Sequence, residues 1–289
     1  MNVELPESRS SSHDDGLVPA VSRERTTRTP MAGFLQRPGY RLHWRIDGRH
    51  EGPWLVLAHS LGSDLHLWDA QVAVWGSRFR ILRYDLAGHG GSEPRPTAGD
   101  IELEAVDAIA LFDHVGIDSC AWCGLSLGGM IGQWLGAEAA DRVSRLVLCS
   151  TAARIADPTM LRGRIAVLAE RGMPAIADSV LAGWLSEAFR GREPACTAWA
   201  AAMFARCSAA GYAAAAEAVC RLDLTARLPC IRLPTLVVAG CHDRATPPAW
   251  NRAIADTIPG ARYAELDGAH LINVEAEARF TELVAADLG

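Results

Sequence analysis

The stretch Cys123-Gly124-Leu125-Ser126-Leu127-Gly128-Gly129 decides the reading of this chain. It contains Gly-x-Ser-x-Gly, a pattern that places a serine on a tight turn between a strand and a helix. The turn is sharp and strained, so the positions two before and two after Ser126 must be nearly free of side chain for the backbones to pass. An apolar run, Ala121 to Cys123, leads in as a strand should, and Met130, Ile131, Trp134 and Leu135 lead out at helical spacing. The bland alternative for such a match is a small-residue turn packed against a core, so the rest of the chain has to supply partners for the serine.

A nucleophilic serine needs a base, and the base needs an orienting acid. The β-branched run from Pro234 to Gly240 has the composition of a buried parallel strand, and His242-Asp243 follows its C-terminal end. Ala261 to Leu266 alternates as another strand and closes with Asp267-Gly268-Ala269-His270. The order Ser126, Asp243, His270 is that of α/β-hydrolases rather than of the chymotrypsin or subtilisin folds. Asp267 reads as a turn residue before Gly268. His59 and His89, the competing bases, both precede the serine and read as hydrogen-bonded loop residues shaping the rim.

Working outward, Phe34 to Ile46 alternates around Pro38-Gly39 as an antiparallel hairpin. Trp54 to Ala58 is a buried strand ending in His59-Ser60-Leu61-Gly62-Ser63, a loop placed where this fold supplies half of its oxyanion hole. Phe79 to Tyr84 is a strand that runs into Asp85 to Ser92, whose glycines match neither dinucleotide nor P-loop spacing, so a structural turn is expected. Glu102 to Val115 predicts a helix, Val143 to Cys149 the next strand, and Val274 to Leu288 a closing amphipathic helix. Alternating strands and helices imply α/β architecture: a mostly parallel sheet with helices on both faces.

From about residue 155 to 227 strand signals vanish, alanine becomes dense, and Trp184, Phe189, Trp199, Phe204 and Tyr212 are spread along helix-like segments. The expected organisation is a hydrolase core over residues 31–154 and 228–289, interrupted by a helical lid over 155–227. Residues 1–30, rich in Ser, Arg, Thr, Asp and Glu, are expected to be a disordered extension without the apolar core of a signal peptide.

The 289 residues are 49% hydrophobic and 21% charged, enough for a full core, and the formal charge of −6 provides no basic field for nucleic acid. No apolar run reaches membrane-spanning length. Eight cysteines lie mostly within apolar patterns without a secreted disulfide spacing, which points to free thiols and a cytoplasmic location. Cys120 and Cys123 are at an odd offset on a strand, so they point to opposite faces and are not expected to act as a redox or metal pair.

Taken together, Ser60-Leu-Gly-Ser-Asp-Leu65, Arg83-Tyr-Asp85 with Gly88-His-Gly90, Cys123 to Gly129, Cys149-Ser-Thr-Ala-Ala-Arg154, Gly211-Tyr212 and Gly240-Cys-His-Asp243 resemble the 3-oxoadipate enol-lactonases, members of the α/β-hydrolase superfamily. The resemblance runs from about Phe34 to the C-terminus. Departures are Leu127 where methionine is common, Cys241 where threonine is, and His59-Ser60 in place of a more usual dipeptide. The resemblance implies a Ser126, Asp243, His270 triad acting through an acyl-enzyme, with backbone N–H groups of Leu61 and Leu127 as oxyanion donors. It also implies a small anionic lactone as substrate, part of the β-ketoadipate route of aromatic degradation, and neither cofactor nor metal.

An anionic substrate of a net acidic protein needs a local cation. Arg154, at the start of the 155–227 segment, is the first candidate; a surface arginine or a salt bridge is the alternative. Arg83 and Arg244 rank behind it, and Trp184 is the aromatic most readily moved into the pocket. Three other readings stay open: a general carboxylesterase, a cofactor-free perhydrolase with the same triad, and a binding protein of this fold that does not turn over its ligand.

Overall fold

The computed structural model describes residues 31–289; the segment 1–30, read above as an extension, lies outside the described residues. Eight strands form one sheet: β1 (Met31–Arg37), β2 (Tyr40–Gly48), β3 (Trp54–Ala58), β4 (Arg80–Tyr84), β5 (Cys120–Leu125), β6 (Val143–Cys149), β7 (Thr235–Gly240) and β8 (Arg262–Leu266), in the order β1-β2-β4-β3-β5-β6-β7-β8. The first two strands make a hairpin about Pro38-Gly39, with Gly39 at φ 84°, and β2 pairs antiparallel with β4. All other neighbours are parallel.

The helices are α1 (Asp69–Trp75), α2 (Ile101–Val115), α3 (Leu127–Glu138), α4 (Thr159–Arg171), α5 (Pro174–Trp184), α6 (Glu187–Arg192), α7 (Pro194–Ala205), α8 (Ala209–Cys220), α9 (Pro248–Thr257), α10 (Ile272–Glu275) and α11 (Glu277–Leu288). One face of the sheet is sealed by α2, α3 and α9 through Leu111, Phe112, Ile131, Leu135 and Ile254, and the other by α1 and α11 through Trp75, Phe280 and Val284. Parallel strands covered on both faces must be apolar throughout, and β7 is accordingly buried at every residue. Cys120 packs on the first face and Cys123 on the second, as their odd offset requires.

Local chemistry sets the element ends. Asp100 caps α2 by accepting from the Leu103 N–H at 2.9 Å, and Gly116 closes the helix at φ 76°. The helix read over Val274 to Leu288 begins at Ile272 and is interrupted at Ala276, which separates α10 from α11. Between β6 and β7 the chain forms α4 to α8, and an isolated antiparallel bridge between Arg154 and Asp223 ties the two ends of this excursion together.

The turn Asp85 to Ser92 is organised by a buried carboxylate. Asp85 accepts from the Leu65 N–H at 2.7 Å and the Gly91 N–H at 2.8 Å, and lies 2.8 Å from His43 Nδ1. Burial alone raises its pKa, but His43, His59 and the two amides outweigh this and hold it below the ordinary value. Arg83 is also structural: fully buried, it forms ion pairs with Asp47 and Asp69 and does not reach the site described next.

Candidate active site

The site gathers at the C-terminal ends of β3, β5, β7 and β8. Ser126 follows β5 directly, at φ 56° and ψ −111°, one of two non-glycine residues with positive φ among the described residues. The strain is held by surrounding bonds: the Ser126 N–H donates to Cys149 O at 2.8 Å, and the Thr151 hydroxyl donates to Ser126 O at 2.8 Å. A Cβ on Gly124 would overlap the Gly128 carbonyl, and one on Gly128 would overlap Ala58 O. Both glycines are thus required by the close approach of strand, turn and helix.

At the other end of the site, His270 Nδ1 lies 2.8 Å from Asp243 Oδ2, and both side chains are buried. Asp243 Oδ1 accepts from the N–H groups of Ala245 and Thr246 at 2.8 and 2.9 Å, and the Thr246 hydroxyl donates to Oδ2 at 2.7 Å. Burial pushes the Asp243 carboxyl up, but the facing imidazole and the Thr246 donors outweigh it, so the carboxyl sits below its ordinary range. The carboxylate is therefore ionised at neutral pH and fixes the tautomer with the proton on Nδ1, leaving Nε2 free to accept.

Ser126 and His270 line the same cavity, of about 730 Å³. No hydrogen bond joins the Ser126 hydroxyl to His270 in this structure, a contact that in ligand-free sites often tightens only when substrate is bound. The N–H groups of Leu61 and Leu127 donate to no other group among the described residues; Leu127 opens α3, where the first amides have no partner within the helix. Ser60, with a buried Oγ that has no partner among the described residues, and Leu61 both line the cavity.

The structure separates the residues suggested for substrate binding. Trp184 lines the cavity and packs edge-on against Phe204, which in turn meets Tyr212. Arg154 does not line it: its side chain is 56% exposed and faces Asp223 at 4.0 Å. The cations on the cavity wall are Arg244, already a weaker candidate, and Arg164, which the sequence reading missed. Arg164 projects from α4 and donates to the Tyr212 hydroxyl at 3.4 Å; an arginine in an alanine-rich helical segment carried no signal of where its side chain would point. Asp157, the acid on the same wall, accepts from the Thr159 N–H at 3.0 Å.

The competing candidates His59, His89 and Asp267 are loop residues. His59 is buried, lies 2.8 Å from Ser60 O through Nδ1, and accepts the Leu86 N–H at Nε2. His89 is buried beside it, with ring centroids 5.4 Å apart. Asp267 is 93% exposed and lies 3.0 Å from His242 Nε2, away from His270.

Comparison with known proteins agrees with the fold. The alpha/beta hydrolase fold family model matches residues 53–277. The chain is 31% identical over 245 residues to 3-oxoadipate enol-lactonase 2 of Acinetobacter baylyi, covering 85% of this chain and 92% of that one. The enol-lactonase crystal structure from Burkholderia xenovorans LB400 superposes with a TM-score of 0.87 at 41% identity, covering 89% of this chain and 99% of the other. A malate-bound thermophilic esterase from Thermogutta terrifontis superposes with a TM-score of 0.82 at 28% identity over 90% and 98% of the two chains. Among the described residues no helix is long and apolar enough to cross a membrane. The chain belongs to the alpha/beta hydrolase fold family, and within it to the group that holds the 3-oxoadipate enol-lactonases.

Proposed function

We propose that this hydrolase opens 3-oxoadipate enol-lactone to 3-oxoadipate, a step of aromatic degradation by the β-ketoadipate route. The observation that carries the reading is the pairing, in one cavity, of Ser126 and His270 with two arginines, Arg164 and Arg244, that form no salt bridge among the described residues. Such a cavity suits an ester bond at one end and a carboxylate at the other. Enol-lactonase relatives at 31% and 41% identity support the same choice of substrate.

His270 Nε2 takes the Ser126 hydroxyl proton as Oγ attacks the lactone carbonyl, and Asp243 stabilises the imidazolium. The carbonyl oxygen becomes an oxyanion facing the Leu61 and Leu127 N–H groups; one such donor contributes roughly 10²–10³ in rate. Collapse breaks the acyl–O bond of the ring and expels the enolate oxygen, which takes the proton held by the His270 imidazolium; the enol then tautomerises to the ketone, and His270 is neutral again. Water, deprotonated by His270, then attacks the acyl-enzyme, releasing the second carboxylate and restoring Ser126 Oγ–H. The segment 155–227 acts as the lid of this cavity, presenting Arg164, Trp184 and Tyr212 to the substrate.

A general carboxylesterase is the second reading, favoured by the 28% identical esterase with its bound malate, a dicarboxylate like the proposed product. The deciding experiment follows the ultraviolet absorbance of freshly generated enol-lactone with the enzyme and with Ser126→Ala, beside a neutral p-nitrophenyl ester. Rapid Ser126-dependent lactone loss with slow ester turnover is expected. Brisk ester hydrolysis with slow lactone loss would transfer the assignment to the esterase.

A further inference from the structure

Outside the cavity, a cluster of donors sits on the two loops that carry the acid and the base. Cys241 and His242 follow β7, and Asp267 follows β8; Cys241 Sγ, His242 Nε2 and an Asp267 oxygen all lie within 4.8 Å of one another. The loops are already fastened: the Cys241 N–H donates to Leu266 O and the His242 N–H to Gly268 O, both at 2.9 Å. We propose that Cys241, His242 and Asp267 form a binding site for a borderline-soft divalent cation of the Zn²⁺ type, separate from the cavity that holds Ser126.

The geometry suits the ion before it arrives. Tetrahedral zinc with sulfur at about 2.3 Å and nitrogen or oxygen at about 2.1 Å separates sulfur from oxygen by about 3.6 Å and nitrogen from oxygen by about 3.4 Å. Here Cys241 Sγ lies 3.7 Å and His242 Nε2 3.0 Å from Asp267 Oδ1, each within a few tenths of an ångström of those separations, and all three atoms lie within 4.8 Å of one another. Thiolate, imidazole and carboxylate together select Zn²⁺ or Co²⁺ over Mg²⁺ or Ca²⁺, which prefer oxygen alone. The side chains of His242 and Asp267 are 60% and 93% exposed, which leaves the ion a path in and the fourth position to water.

Binding displaces the Cys241 thiol proton and replaces the hydrogen bond between His242 and Asp267 with two metal bonds. Its consequence follows from position. Asp243 lies two residues beyond Cys241, and His270 three beyond Asp267, so the ion clips together the loops that hold the Asp243–His270 pair. The sequence held no sign of this because the adjacent Cys-His pair and the aspartate are 25 residues apart and meet only through the pairing of β7 with β8.

The test is titration of the full-length protein with CoCl₂ and ZnCl₂. One Co²⁺ per chain with a thiolate-to-cobalt charge-transfer band, displaced by Zn²⁺, is expected, together with a Zn²⁺-dependent rise in Tm of about 5 °C at saturation. Cys241→Thr and Asp267→Asn should each lose the band and the Tm rise while retaining Ser126-dependent ester hydrolysis without added metal, which certifies their fold. Cys230→Ser, at an exposed thiol elsewhere, should keep both responses. No band in the unmodified protein, or a band that survives Cys241→Thr, would overturn the site.

Discussion

Gly88 and Gly211 meet backbone to backbone: a Cβ built on either would overlap the Cα of the other. The contact seats the first turn of α8 on the Asp85–Ser92 turn, and the Ser208 N–H donates to Gly88 O at 3.0 Å beside it. Because the neighbour is backbone, the strain of a new methyl cannot be relieved by a rotamer change. Gly211→Ala should therefore cost about 1–3 kcal/mol and lower Tm by several degrees. It should also raise KM, since the next residue, Tyr212, lines the cavity and meets Arg164. Unchanged Tm and KM would show that the two segments separate freely.

Asp243 and Asp267 both stand within a few residues of a histidine, and the structure gives them different work. Asp243 Oδ2 meets His270 Nδ1 at 2.8 Å in a buried setting, whereas Asp267 is exposed and serves His242. Asp243→Asn should lower kcat on the order of 10³–10⁴-fold by stabilising the wrong tautomer. Asp267→Asn should stay within about threefold, as surface substitutions away from such networks usually cost little. Steady-state kinetics on a p-nitrophenyl ester suffices, and the reverse ranking would unseat Asp243 as the orienting acid.

The contrast between these aspartates also marks what was legible in the sequence. Strand ends were readable: an apolar run ahead of the Gly-x-Ser-x-Gly turn, a β-branched run stopping at Gly240 and an alternating run closing in Asp267-Gly268 put Ser126, Asp243 and His270 at three strand ends. The glycines at 124 and 128 carried the same information in another form, since only a tight crossing excludes a Cβ. Arg154 was ranked first because it stands near the start of the helical segment, but its backbone pairs with Asp223 and turns the guanidinium to solvent. Arg164 comes to the cavity only through the packing of α4 beside α8, a tertiary fact with no local signature. The interruption at Ala276 was likewise hidden, because α10 and α11 share one continuous helix-forming composition.

That correction makes Arg164 the residue to test for carboxylate recognition. Hydrogen bonds to charged groups contribute about 1.5–3 kcal/mol, or roughly 10- to 150-fold. Arg164→Ala should reduce kcat/KM for the enol-lactone by an amount in that range and leave a neutral ester within about threefold. Arg154→Ala should leave both substrates nearly unaffected. Equal losses on lactone and ester in Arg164→Ala would reduce this arginine to a support for Tyr212.

His89 gives the fold a dependence on pH that is independent of catalysis. Its ring is fully buried, Nδ1 lies 3.1 Å from Ala87 O, and Nε2 has no partner among the described residues. Burial, followed by the charge of neighbouring His59, lowers its pKa to about 3, while the Ala87 carbonyl and Asp85 oppose the shift less strongly. An unfolded histidine titrates near 6.5, so the unfolded chain binds a proton that the folded one refuses. The resulting stability is present above about pH 6.5 and is lost as pH falls toward 3; between pH 7 and pH 5 this single group removes about 2 kcal/mol. His89→Asn keeps a donor for Ala87 O but cannot titrate. Urea unfolding at the two pH values should show a smaller acid loss in the variant by about that amount, with His59, also held low by burial, supplying part of the slope that remains. Parallel pH dependence in the two proteins would mean that His89 accepts its proton without unfolding.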